Sequence, residues 1–151
     1  MTTRRPRRQR ELVFQRYVLD ATALIDFERS RDLRKHLSNP GDSVLVPWRV
    51  MKEVTRGCRS PLCAWVRAHQ SNVTRCQTVQ ESALAVTLGL QFAALIDEAD
   101  AEAIAIASAR RAILVTGERA TKIPEVAAQY GVHCLRPAEF LSQWPGAGRA
   151  R

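Results

Sequence analysis

Four carboxylates of this sequence lie where an α/β sheet would gather them. Asp20 closes the apolar run Tyr17-Val-Leu, and Glu53 sits one to two turns into the helix launched by Ser43-Val-Leu-Val46. Asp100 opens an alanine-rich helix, and Glu118 follows two residues after the strand ending at Thr116. In an open parallel sheet ligands bind outside the carboxyl ends of the strands, so these acids converge on one edge from distant segments. Clustered carboxylates repel one another and resist desolvation, and a divalent cation relieves both. Hard oxygen ligands without thiol or imidazole favour Mg²⁺ or Mn²⁺ over zinc. Such a cation lowers the pKa of bound water and neutralises charge on a phosphorus centre, which is the chemistry of phosphodiester hydrolysis. No competing set exists: the sequence has no Gly-x-Ser-x-Gly elbow, no Walker-type loop and no Gly-x-Gly-x-x-Gly.

Each acid also has a plainer structural use. Asp20 precedes Ala-Thr-Ala-Leu as a helix N-cap would. Glu53 suits a solvated helix face, and Asp97 and Asp100 complement the positive end of a helix. Glu118 can pair with Arg119 or Lys122 in a turn. Convergence raises the functional reading above these.

The elements that must position the acids read as short strands alternating with helices. Tyr17–Asp20 is a strand, Ala21–Phe27 a helical turn, and Arg29–Leu37 a helix broken by Asn39-Pro40-Gly41. The run 43–46 is a second strand, and Pro47 at a first helical position starts a helix to Thr55. Gly57 ends that helix, Pro61 starts another to about His69, and Val73–Val79 reads as an edge strand. Helices are expected over Glu81–Leu90, Asp100–Arg111, Thr121–Tyr130 and Pro137–Gln143, with strands at Ala112–Thr116 and Val132–Leu135. With no two-residue hairpin signal, this is the pattern of a three-layer α/β/α domain around a short, mainly parallel sheet.

Composition sets the outer bounds. The chain has 151 residues, 46% hydrophobic and 25% charged, which is one domain's worth of material. Its formal charge of +8 first suggests a nucleic-acid or membrane partner. Five arginines fall within residues 1–10 and two more are Arg149 and Arg151, so residues 11–148 carry a net charge of only +1. The expected division is a basic tail over 1–15, a domain over 16–142 and a second tail over 143–151. The acidic and basic breaks between Glu11 and Phe27 exclude a secretory signal or membrane span there. Cys58, Cys63, Cys76 and Cys134 have no paired Cys-x-x-Cys spacing, so they read as buried, reduced thiols of a cytoplasmic protein.

Taken together, these motifs resemble the PIN domain, the metal-dependent ribonuclease fold of VapC-like toxins in bacterial toxin–antitoxin pairs. The resemblance covers roughly residues 16–142. It is carried by Tyr17-Val-Leu-Asp20-Ala-Thr22, by Leu45-Val-Pro47-Trp-Arg-Val50-Met-Lys-Glu53, by Asp100-Ala-Glu-Ala-Ile-Ala-Ile-Ala107, and by Ile113-Leu-Val-Thr116-Gly-Glu118-Arg119. It implies Asp20, Glu53 and Asp100 as principal metal ligands, Glu118 as a further ligand, and Thr22 and Thr116 as orienting groups. The family more often has Asp, commonly after Asn or Asp, where this chain has Gly117-Glu118. That longer side chain loosens the second metal position or moves it to a water contact. Asp97, Asp100 and Glu102 lie close together, and Asp100 is preferred because its spacing to Ile104 and Ala107 fits the motif. Asp26 reads as structural or antitoxin-facing.

The resemblance further implies an RNA substrate, in-line attack by water, products with 5′-phosphate and 3′-hydroxyl ends, a homodimer and a cognate antitoxin, with no membrane partner. An acidic cleft does not attract RNA unaided, so flanking bases must hold the phosphates: Arg49 and Lys52 beside Glu53, and Arg119 and Lys122 beside Glu118. The competing reading is a catalytically impaired PIN-like module that binds RNA or protein, motivated by the Gly117-Glu118 departure.

Overall fold

The computed structural model describes residues 15–57, 59–117 and 119–144. Glu118, Cys58 and both arginine-rich ends fall outside the described residues. Five parallel strands form one sheet in the order β3-β2-β1-β4-β5, with β1 Tyr17–Leu19, β2 Val44–Pro47, β3 Val73–Thr74, β4 Ile113–Val115 and β5 Cys134–Leu135. Tyr17 pairs with Val44 on one side and Ile113 on the other, and Leu19 lies opposite Val115. The chain winds outward from β1 through β2 to β3, then returns to β4 on the other flank of β1. The strand order therefore reverses between β1 and β4, and the crevice at their carboxyl ends is the place such sheets use for ligands.

Alternation along the strands makes two cores. Tyr17, Leu19, Val44, Val46 and Val115 face one core. There they meet α1 (Ala21–Arg29), α3 (Trp48–Thr55), α4 (Pro61–Ala68) and α8 (Pro137–Gln143). Val18 and Leu114 point to the other, beneath α6 (Glu98–Arg110) and α7 (Ile123–Gln129). On α6, five alanines and Ile104 and Ile106 are buried, because only small side chains let it approach both the sheet and α5 (Val79–Gln91). Trp144 is buried against Tyr17 and Phe140, so packing continues through that residue.

Several boundaries differ from the sequence reading. A full helix occupies Ala21–Arg29, and Arg31, in the left-handed region at φ 63°, separates it from the short α2, Asp32–Lys35. The continuous helix expected over Arg29–Leu37 is thus divided. Pro47 ends β2 with extended backbone (φ −60°, ψ 146°) and caps α3 rather than opening it. The edge strand expected over Val73–Val79 stops at Thr74, because Thr78 caps an earlier-starting α5 by accepting from the Glu81 N–H. Glu81 then pairs with Arg110 at 2.8 Å, tying the start of α5 to the end of α6. Cys63 is disulfide-bonded, which corrects the expectation of reduced thiols throughout, while Cys76 and Cys134 are free.

Candidate active site

Asp20 sits one residue beyond β1, at the point where the strand order reverses. Its Oδ1 accepts from the Ala23 N–H at 2.8 Å and from the Thr22 hydroxyl at 2.8 Å. The structural use of Asp20 as an N-cap is therefore real, but it occupies one oxygen only. Oδ2 is buried and has no hydrogen-bond partner among the described residues. A buried carboxylate oxygen left in this state is costly unless something cationic meets it. Burial pushes the Asp20 carboxyl above its ordinary value and the Asp26 charge adds to the rise, while the Thr116 hydroxyl, the Ala23 N–H and the Thr22 hydroxyl oppose it.

The other acids arrive on two helices. Glu53 is exposed on α3; partial desolvation raises its carboxyl, and the charges of Asp97 and Asp20 raise it further, against Arg56. Asp97 caps α6, earlier than the sequence suggested, and forms a reciprocal capping box with Asp100. The Asp100 N–H donates to Asp97 Oδ1 at 2.8 Å and the Asp97 N–H to Asp100 Oδ2 at 3.1 Å. Asp100 therefore belongs to the third helical position rather than the first. Desolvation, with Asp97 and Asp20 nearby, pushes the Asp100 carboxyl up to about 7. Asp20, Glu53, Asp97 and Asp100 thus repel one another as a single cluster. Glu102 is committed elsewhere, accepting from the Arg49 N–H at 2.8 Å at the start of α3.

Thr22 and Thr116 come together from segments 94 residues apart, with hydroxyl oxygens 3.4 Å from each other. Thr22 Oγ1 also accepts from the Gly117 N–H at 2.7 Å. A Cβ on Gly117 would lie 2.7 Å from Asp26 Oδ2 and 2.8 Å from the Thr22 carbonyl oxygen, so only glycine permits this approach. Arg136, at the start of α8, donates to the carbonyls of Gly117 and Ala120 and secures the loop after β4. Sequence reasoning overlooked Arg136, whose role depends on a loop brought near by folding. It also placed Asp26 outside the chemistry, although that carboxylate bears directly on Asp20. Spacing offered a partial signal for Asp26, since Asp20 and Asp26 bracket under two helical turns.

The bases expected at the flanks are all on the surface. Arg49 lies 3.8 Å from Glu98, Lys52 sits over the Trp48 ring, Arg119 lines a cleft with Asp26 and Asp32, and Lys122 is exposed.

The oxygen-only donor set and the unpartnered Asp20 Oδ2 fit a hard divalent cation. Among the described residues no three His, Cys, Asp or Glu side chains are grouped closely enough to hold an ion as they stand.

With this geometry in view, comparison with known proteins gives the class. The chain belongs to the PIN-domain family, matching the family DUF3368, described as a PIN domain, over residues 16–141. Proteins of that family are generally nucleases. Among solved structures the chain is similar to PAE2754 from Pyrobaculum aerophilum, at a TM-score of 0.58 and 12% identity, over 86% of this chain and 96% of that one. At that identity the likeness speaks for the fold. No curated protein matches the chain. No helix among the described residues is long and apolar enough to cross a membrane.

Proposed function

We propose that this PIN domain is a Mg²⁺- or Mn²⁺-dependent endoribonuclease acting as the toxin of a toxin–antitoxin pair in the cytoplasm. The observation that carries the reading is Asp20 Oδ2, buried at the strand-order reversal with no hydrogen-bond partner among the described residues, within reach of the charges of Glu53, Asp97 and Asp100. Asp20, Glu53 and Asp100 would hold the cation, and Glu118 would serve as a further ligand. When bound, the cation supplies a water of lowered pKa and offsets charge on the scissile phosphate. The Ala23 N–H and Thr22 hydroxyl hold Asp20 in one orientation, and Thr116 and the Gly117 N–H fix Thr22 in turn. Arg49, Lys52, Arg119 and Lys122 would contact RNA phosphates that the acids alone would repel.

The expected partners are a second copy of the chain and an antitoxin. Support for the first comes from α5, where Val79, Val86 and Leu90 are 86%, 61% and 78% exposed. With Ala83 they make an apolar stripe at alternating four- and three-residue spacing, and no charged side chain interrupts the exposed face. An uncharged stripe of this kind meets its own copy across a two-fold axis without like-charge repulsion.

Incubating the protein with single-stranded RNA and Mn²⁺ tests the reading. Cleavage should yield 5′-phosphate and 3′-hydroxyl ends. Asp20→Asn and Glu53→Gln should each lower the rate by about a hundredfold or more, the scale of losing one group that stabilises transition-state charge. A parent that binds RNA with a steep salt dependence but cuts none would favour the impaired binding module. The Gly117-Glu118 pair, where the family more often has Asp, is the observation on that side.

A further inference from the structure

Trp48 differs from the other tryptophans of this chain. Trp65 and Trp144 are 7% and 6% exposed, and each indole N–H donates to a carbonyl, of Leu37 at 2.7 Å and His36 at 3.1 Å. Both are core side chains with their polar atom satisfied. Trp48 is partly exposed, and its indole N–H makes no hydrogen bond among the described residues. Two cations lie against its ring instead. The Arg75 guanidinium carbon is 4.0 Å from the ring centroid and Lys52 Nζ is 4.6 Å from it.

Neither cation forms an ion pair among the described residues. Their backbones are nonetheless fixed. Lys52 is one helical turn along α3 from Trp48, and the Arg75 carbonyl accepts from Arg110 at 2.7 Å, beside the buried Glu81 pair. The side chains stay available while the frame is rigid. Trp48 precedes Glu53 by five residues on the same helix, which is about 7.5 Å of axial rise. The two side chains leave α3 about 140° apart around its axis, so they reach the sheet's carboxyl edge from different faces of the helix.

We propose that Trp48 is a stacking platform for one base of single-stranded RNA, with Arg75 and Lys52 taking the phosphates on either side of it, on the same carboxyl edge of the sheet as Asp20, since Asp20, Trp48 and Arg75 directly follow β1, β2 and β3. The proposal rests on the ribonuclease reading and assigns the part of its substrate that the acidic cluster cannot bind. A base reaching the ring displaces cations that make no close ion pair among the described residues, and only the longer-range attraction between Arg75 and Glu102 changes. Those cations then meet the phosphates flanking that base. Stacking on a π-face tolerates any base. The subsite therefore selects a flexible single strand over a duplex, and not a particular sequence.

The test uses the full chain in EDTA at low salt with a fluorescently labelled oligoribonucleotide, so that binding is read without cleavage. Anisotropy of the label reports binding, and tryptophan emission reports contact at the ring. Because the other two tryptophans are buried, Trp48 should dominate iodide quenching in the free protein and lose its accessibility on RNA binding. Trp48→Phe should abolish that signal and keep affinity near the parent's. Trp48→Ala should weaken binding about tenfold with an unchanged salt slope. Lys52→Ala and Arg75→Ala should each reduce the salt slope by about one. RNA binding that leaves Trp48 emission and iodide access unchanged, or a folded Trp48→Ala chain that binds as the parent does, overturns the subsite and leaves the ribonuclease reading standing. No binding by anisotropy, with no cleavage in Mn²⁺, removes both.

Discussion

Replacing Asp20 by Asn should stabilise the metal-free protein while destroying its response to metal. In the parent, among the described residues, Oδ1 accepts from Ala23 and Thr22 and Oδ2 has no hydrogen-bond partner, so a buried negative charge is incompletely compensated. Asn keeps an oxygen for Ala23 and Thr22 and places an uncharged amide where Oδ2 was. An uncompensated buried polar group costs about 1–3 kcal/mol, and more when charged. A gain of about 2 kcal/mol at pH 8 corresponds to about 4–8 °C in melting temperature for a chain of this size. The sign of the pH dependence follows from the raised carboxyl. Its contribution to stability is present below the unfolded value near 4 and is lost as pH rises through the folded value, so the variant's advantage should shrink towards pH 4. Adding Mn²⁺ at about 100 times its dissociation constant should stabilise the parent by about 2.7 kcal/mol and the variant much less. Calorimetric melts at pH 5 and pH 8, with chelator and with Mn²⁺, read all of this. An Asp20→Asn chain less stable than the parent in chelator at pH 8, or equally stabilised by Mn²⁺, would refute the argument.

Four further outcomes are expected. Gly117→Ala should cost about 1–3 kcal/mol, because its Cβ meets the Thr22 backbone and Asp26, and a chemical denaturation midpoint measures it. Mn²⁺ affinity by calorimetric titration should strengthen as pH rises through about 7, where Asp100 loses its proton, and Asp100→Asn should flatten that dependence. In the opposite limb, the Arg110 hydrogen bond holds Glu81 below its ordinary value of 4.5; its contribution is present above that value and lost as pH falls through the lowered folded value, so Glu81→Gln should lessen acid sensitivity. Leu90→Glu should convert a dimer to monomers in sedimentation with unchanged far-UV circular dichroism, whereas a parent already monomeric contradicts the α5 interface.

Strand and helix order, the parallel sheet and the family were legible because burial on both faces leaves short apolar runs, and α/β alternation leaves few ways to connect them. Pro137–Gln143 appears as expected. Boundaries failed where one side chain decided them: Asp97 starts α6 early, Thr78 starts α5 early, and Arg31 divides what looked like one helix. Caps of this kind are local hydrogen bonds that several neighbouring acids or hydroxyls could equally make, so spacing does not choose among them.

The sequence by itself determined which residues were chemically eligible: carboxylates at strand ends and helix starts, no rival catalytic motif, and a nearly neutral domain beneath a basic total charge. Tertiary structure alone decided how they are used. Packing β1 against β4 puts Thr22 beside Thr116 and Gly117, splits the two oxygens of Asp20 between a cap and an unpartnered site, and turns Glu102 away to the start of α3. Each of those outcomes depends on where water is excluded and which oxygen already has a donor, and both are set by contacts between residues far apart in the chain.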